Sequence, residues 1–466
     1  IVNPVIRCQP IKRSSGQIID HTWRPEGTLV AMFGEHTGPI NRIVVSPDHA
    51  FFITASDDGS VKIWDTARLE SNAAHRSRQT HRHPNEAMVK SICFVEQTYC
   101  FASAAADGSI HVVRVDYQKN SNAARYGRLR LLRQYQLPTS EYAIWMEHFK
   151  LENHSVLLFA TNKSRILALD LRTMLILYTI DNPVHHGTPT CFCLDKRQNW
   201  LLLGTSHGVL DFYDLRFRLR LKSWGLPGAS PIHRLLLHPS RGRGRWVLVA
   251  GGTGQSEVTV WDLEKTQCRE VYRTSQGGSA LVPKDVAKNY EPWKPDDDAP
   301  ETMLARFANS LEPGAASSLD RGIRALVTGT DGEERASGNP RGSGAFLLTG
   351  GSDRKIRFWD LQRPESSSVI SGLDVEELKP SYAVNQPTAT LTVVAEKVPP
   401  GGPTAENAGR GGRKAEGRTP RSTVISLQQQ QLLRKHLDVI TDVAVLESPY
   451  GMTVSVDRAG VIYIFS

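Results

Sequence analysis

Three groups of residues have types and spacings that could do chemistry. Gly204-Thr205-Ser206-His207-Gly208 fits the G-x-S-x-G pattern of a serine nucleophile. That chemistry needs the serine on a sharp strand-to-helix turn. Here Leu201-Leu202-Leu203 precedes the pattern and Val209-Leu210-Asp211-Phe212-Tyr213 follows it. The context is strand–turn–strand, so no acyl transfer is expected at Ser206. His81 and His83, with His75 nearby, carry metal-binding side chains, but no carboxylate or thiolate stands at ligand spacing. These histidines read as an exposed loop, and no metal or cofactor is expected. The six cysteines are scattered with no CxxC pair, which excludes a cysteine zinc knuckle and a disulfide scaffold and suits a reducing compartment. Cys191 and Cys193 read as packed small hydrophobes on one strand face. Phosphate-loop and kinase catalytic-loop patterns are absent.

The third group is basic. Arg216, Arg218, Arg220 and Lys222 alternate with Phe217, Leu219 and Leu221. A period of two places the charges on one face of an outer strand. Charge there defends an edge against pairing, and the same face could dock an acidic partner or a lipid headgroup. Arg241, Arg243 and Arg245 alternate with glycines before Trp246 and read as a solvated loop. The formal charge is +8, yet residues 397–421 hold six Lys/Arg against two acids, half of the excess. That window is rich in Gly and Pro and reads as disordered, so no nucleic-acid surface is expected.

The elements that must position these residues come from an internal repeat. Its clearest copy runs from Gly34-Glu35-His36 through Ile40–Asp48 and Phe51–Ser60 to Val61-Lys62-Ile63-Trp64-Asp65. Thr54 falls on the second of three strands, Asp58 in the next tight turn and Trp64 on the third. The unit resembles a WD40 repeat. That resemblance implies a chain of hydrogen bonds from Trp64 to Thr54 to His36 to Asp58, each buried polar group satisfied by the next. These residues are then architectural. Thr349, Asp353, Trp359 and Asp360 repeat the pattern. Ser103 and Asp107 repeat it with Val113 in place of tryptophan; Trp261-Asp262 keeps only the ending, and His436 opens the last copy.

Repeat endings fall at 65, 114, 170, 214, 262, 360 and 466, mostly 44 to 56 residues apart. This predicts an all-β, seven-bladed WD40 propeller over 28–466, after a lead-in over 1–27. Two gaps of 98 and 106 residues hold polar stretches, 276–320 and 364–424, expected to be disordered insertions without strands. The last blade has three strands of its own, and Thr28–Phe33 can supply its fourth and close the ring. No stretch of eighteen apolar residues is present, so no membrane-spanning helix is expected. Ile1 in place of a starting Met, with no signal-like segment, is what a piece of a longer protein would show.

Further motifs resemble one family, the C-terminal propeller of the regulatory, protein-kinase-like subunit of class III phosphatidylinositol 3-kinase. They are Trp23-Arg24-Pro25, Trp200–Ser206, Asp214-Leu215-Arg216-Phe217, His238-Pro239, Gly351–Leu361 and His436–Ala444. The resemblance implies a scaffold, with no enzyme activity in this chain and a serine/threonine protein-kinase-like domain upstream. It implies partners: the lipid kinase's catalytic subunit, its coiled-coil subunits and, for some members, a G-protein α subunit. Localisation would be cytoplasmic and peripheral, on endosome, vacuole, Golgi or autophagosomal membranes, reached indirectly through the complex. A generic WD40 adaptor, such as a ubiquitin-ligase substrate receptor, is the alternative. The Phe-Arg-Arg-Gly signature of phosphoinositide-binding propellers is absent.

Overall fold

The computed structural model describes residues 24–69, 76–119, 124–151, 154–226, 230–251, 256–274, 322–330, 345–373, 378–398, 435–447 and 450–466. Its architecture is a seven-bladed β-propeller. Each repeat contributes short strands with β-branched and aromatic residues, separated by tight polar turns. Third strands end at Asp65, Arg114, Asp170, Asp214, Asp262, Asp360 and Phe465. In blades 1 to 6 a fourth strand follows, which in blade 1 is Gln79–Arg82.

The inner strands are Ile40–Val45, Val89–Phe94, Ala143–Lys150, Pro189–Leu194, Ile232–Leu237, Ile323–Thr330 and Ile440–Leu446. Each touches its neighbour, and the last touches the first, so the ring closes. Leu29–Phe33 pairs antiparallel with Ile462–Phe465 as the fourth strand of blade 7, with Phe33 opposite Ile462. The backbone N–H groups of Glu26 and Gly27 donate to the Ser466 carbonyl at 2.8 and 2.9 Å. The amide of Ser466 donates to Thr28. Both sheet edges that an open ring would expose are thereby used.

Every inner strand carries a register shift at its second residue, and the residue just past it is Arg42, Ser91, Trp145, Cys191, Arg234, Ala325 or Asp442. A bulge re-aims one side chain and adds twist. Its recurrence puts these seven residues at equivalent positions round the central channel. The bulged residue itself fastens neighbouring blades. Asn41 Nδ2 donates to the Val89 carbonyl at 2.7 Å, and the hydroxyls of Thr190 and Thr441 donate to the carbonyls of Ile232 and Ile40 at 2.5 Å.

The second expected insertion needs correction. Ser368–Ser371 is the fourth strand of blade 6, and Ser381–Thr388 and Leu391–Lys397 form a hairpin. The hairpin joins blade 5, with Leu391–Lys397 parallel to Gln267–Arg273, making that sheet six-stranded. Burial holds it there: Leu391, Val393, Val394 and Tyr382 are buried, and Tyr382 packs on Trp359 of blade 6 at 5.2 Å. Glu396 reaches the same blade through Arg357 at 2.7 Å. Residues 399–424, the insertion 276–320 and residues 1–23 of the lead-in lie outside the described residues.

Candidate functional site

Blade 1 assembles its polar chain on neighbouring strands and the loop leading into them. Trp64 Nε1 donates to Thr54 Oγ1 at 2.9 Å. Thr54 Oγ1 lies 2.8 Å from His36 Nε2, and His36 Nδ1 lies 2.8 Å from Asp58. Ser60 adds its hydroxyl to Asp58. Bonds from His36 and Ser60 hold the Asp58 carboxyl well below the usual carboxylate range, against the opposing pull of burial. Such a carboxylate stabilises the fold above its unfolded pKa and loses that contribution as pH falls through its folded one.

Other blades vary the theme. Blade 7 sets His436 between Ser455 and Asp457 at 2.7 and 3.1 Å. In blade 6 Trp359 Nε1 donates to Thr349 at 2.9 Å, while Asp353 holds the Arg357 guanidinium at 2.5 Å in place of a histidine. Asp360 receives Arg24 at 2.9 Å, which seats the end of the lead-in. Trp261 donates to Thr259 of its own strand, and Asp262 accepts from Arg269. In blade 2 Ser103 bonds His83 at 2.8 Å, and Asp107 reaches the same imidazole through Ser109.

His83 is therefore no exposed-loop residue. It is buried, and His81 lies on the fourth strand of blade 1; the sequence context of Gln79–Arg82 is too polar to signal that strand. His75 lies outside the described residues. Two further networks were not legible in the repeat: Glu141 accepts Thr161 and Arg165, and His186 bonds Asp211 at 2.8 Å. Their signal was present only as polar residues two or three positions ahead of an inner strand, or on a third strand as with Asp211.

Ser206 sits in the hairpin turn between Trp200–Thr205 and Val209–Asp214, and no helix follows it. Its hydroxyl accepts from the Thr188 amide at 3.1 Å. Cys191 and Cys193 are both buried, and burial pushes the Cys191 thiol up to about 12, the opposite of an activated nucleophile.

The basic run departs from simple alternation. Arg216, Phe217 and Arg218 form a turn, Arg218 with φ +58°, and only Leu219–Gly225 is strand. A register shift at Tyr213 follows from that turn. Arg216 pairs with Asp214 at 2.6 Å, Arg218 lies over the Tyr178 ring at 4.7 Å, and Lys222 donates to the Glu264 carbonyl. Both faces of Leu219–Lys222 are exposed. Phe217 is 69%, Leu219 61%, Leu221 53% and Leu175 of the adjoining blade 66% exposed. Arg241 lies in an exposed inter-strand loop as expected, and there it pairs with Glu270 and donates to the Leu361 carbonyl of blade 6.

The channel holds a polar plug. Arg42 and Arg234 lie over the Trp145 ring at 3.5 and 4.4 Å. Arg234 Nη2 is 2.7 Å from Asp442. Two residues along from Trp145, burial raises the Glu147 carboxyl to about 7, against the pull of Arg42 and of a long bond from Trp145. The folded chain then keeps a proton that the unfolded chain releases from about pH 4.5 upward. Stability from this group is full below that and is lost as pH rises through 7. Glu147→Gln is expected to gain in melting temperature relative to the parent protein between pH 5 and 8. Parallel melting curves for the two proteins would count against this assignment.

The family described as "WD domain, G-beta repeat" matches residues 27–65 and 341–360. A Komagataella pastoris protein designated a serine/threonine-protein kinase VPS15 is 33% identical over 97% of this chain and 31% of its own length. The serine/threonine-protein kinase VPS15 of Arabidopsis thaliana is 28% identical over 77% of this chain and 24% of its own length. That of Saccharomyces cerevisiae is 29% identical over 53% and 17%. The chain spans about a third or less of these relatives. No described helix is long and apolar enough to cross a membrane.

Proposed function

This chain is a WD40 propeller region of VPS15-like protein kinases, and from that premise we propose that it is the non-catalytic docking platform of a class III phosphatidylinositol 3-kinase complex. Its partners are the lipid kinase's catalytic subunit and the coiled-coil subunits. A G-protein α subunit is a further candidate for the same ring. Membrane attachment to endosome, vacuole, Golgi or autophagosome comes indirectly, through the assembled complex.

One observation carries the choice of surface. The turn and strand from Arg216 to Lys222 expose Phe217, Leu219 and Leu221 beside Arg216, Arg218 and Arg220. Exposed aromatic and Arg side chains on one rigid element are the residue types that dominate interface energetics. A coiled-coil surface with apolar and acidic positions is the complementary partner. Fixed by the blade behind it, the strand loses little freedom on docking.

The test is affinity purification of the full-length parent protein carrying Phe217→Asp with Arg220→Glu. Recovery of the coiled-coil subunits is expected to fall by about tenfold or more, the scale of a lost hot spot, with the melting temperature unchanged. Undiminished recovery would remove this surface from the proposal. Recovery of ubiquitin-ligase subunits in place of the lipid kinase would replace the function itself.

A further inference from the structure

We propose that the junction of blades 1 and 2 holds a transition-metal site, built from His81, His83 and His111, for an imidazole-preferring divalent ion such as Zn²⁺. One donor nitrogen from each residue lies within 4.8 Å of the others. His81 comes from the outer strand of blade 1, His83 from the residue after it and His111 from the third strand of blade 2. No single blade would place three imidazoles together; the packing of blade 2 against blade 1 does.

The blade's own hydrogen-bond chain accounts for only one of them. His83 is held by Ser103 and Ser109 at 2.8 and 2.7 Å. Blades 1 and 7 complete the same chain with a single histidine, His36 or His436. His81 and His111 are additional. Their facing nitrogens, His81 Nε2 and His111 Nδ1, are 2.9 Å apart and must share one proton. The other nitrogen of His111 is buried with no hydrogen-bond partner. His111 is 3% exposed, and an orphaned buried polar atom needs a physical reason.

A divalent ion between His81 Nε2 and His111 Nδ1 draws on both facing nitrogens. It replaces the shared proton, which fixes His111 as the tautomer carrying its hydrogen on Nε2. Zn–N bonds of about 2.0–2.1 Å in tetrahedral geometry require nitrogens roughly 3.3 Å apart, so the pair opens by a few tenths of an ångström. The His83 ring now stacks on His111 at 4.2 Å and 9°. It becomes the third ligand by turning from Ser103 while Ser109 keeps its link to Asp107, a supporting carboxylate of the kind that orients metal-bound imidazoles. His81 is half-buried, which gives the ion a path from solvent and leaves a coordination position for water.

The experiment is calorimetric titration of the 466-residue chain with Zn²⁺ alone at pH 7.5, alongside H81A, H111Q and the distant control H154A. One equivalent is expected to bind, with affinity reduced by at least about tenfold in H81A and H111Q and unchanged in H154A. Zn²⁺ should raise the melting temperature of the parent chain and of H154A but not of H81A. H81A leaves the Ser103–His83–Ser109 bonds intact, so it is expected to fold with the parent's metal-free melting temperature. Absence of a bound equivalent, or binding that survives in both H81A and H111Q, overturns the site.

Discussion

Asp442→Ala is expected to destabilise the propeller by about 3–5 kcal/mol, the cost of stripping the partner from a buried charge. Asp442 comes from the inner strand of blade 7. It accepts Arg234 from blade 5 at 2.7 Å, lies 4.0 Å from Arg42 of blade 1 and accepts the Ile43 amide at 3.0 Å. Exposure of the Arg234 and Asp442 side chains is 6% each. Without Asp442, two guanidinium groups crowd the Trp145 ring with Glu147 as the remaining acid near them, and Glu147 itself resists ionisation. Arg42 already feels that crowding: burial and Arg234 lower it to about 10. The cost is one of desolvation, so salt should screen little of it.

A double variant separates charge from packing. Arg234→Met with Asp442→Leu removes the cation together with its anion and keeps apolar volume in the channel. It should recover much of the loss, because apolar replacement of a whole buried pair is often neutral. Urea unfolding at pH 7 measures both. A loss under about 1 kcal/mol in Asp442→Ala, the range of an exposed pair, would show that the channel is wetter than the geometry indicates.

The repeat was legible because its turn and ending are short-range. Asp58-Gly59 and Trp64-Asp65 recur with one spacing, and each ending marks a third strand. The closing strand Leu29–Phe33 was legible for a different reason: the last blade ran out of chain with one strand missing. What the sequence did not show depends on contacts between blades. The hairpin at Ser381–Lys397 pairs in parallel with a strand over a hundred residues earlier, and no local periodicity encodes such a pairing. Its polar outer face hid the alternate buried residues Leu391 and Val393. His81 and His83 were misread as an exposed loop because Gln79–Arg82 is too polar to signal a strand and the partners that bury His83, Ser103 and Ser109, come in across a blade junction. The basic run failed on one residue: Arg218 takes a left-handed conformation in the turn, so the period of two breaks before the strand begins.

Trp64→Ala should cost about 3–5 kcal/mol, the range for truncating a buried aromatic, and the loss should include the ring closure. The Trp64 side chain is 2% exposed. On one side its indole donates to Thr54, which holds His36 and through it Asp58. On the other its ring stacks on Phe33 at 5.1 Å and 4°, and Phe33 belongs to the strand that completes blade 7. The same side chain thus supports the polar chain of blade 1 and the apolar seam between blades 1 and 7. Truncation leaves the Thr54 hydroxyl one donor short and opens a cavity against Phe33 and Phe52. Those two effects separate in measurement. Trp64→Phe keeps ring stacking but removes the indole donor, and should cost less than half as much as Trp64→Ala. Amide exchange at Met32 and Phe33, paired across to Tyr463 and Ile462, should quicken in Trp64→Ala and change little in Trp64→Phe. Equal exchange in the two variants would mean that the closing strand is held by its backbone ladder alone, with no help from blade 1.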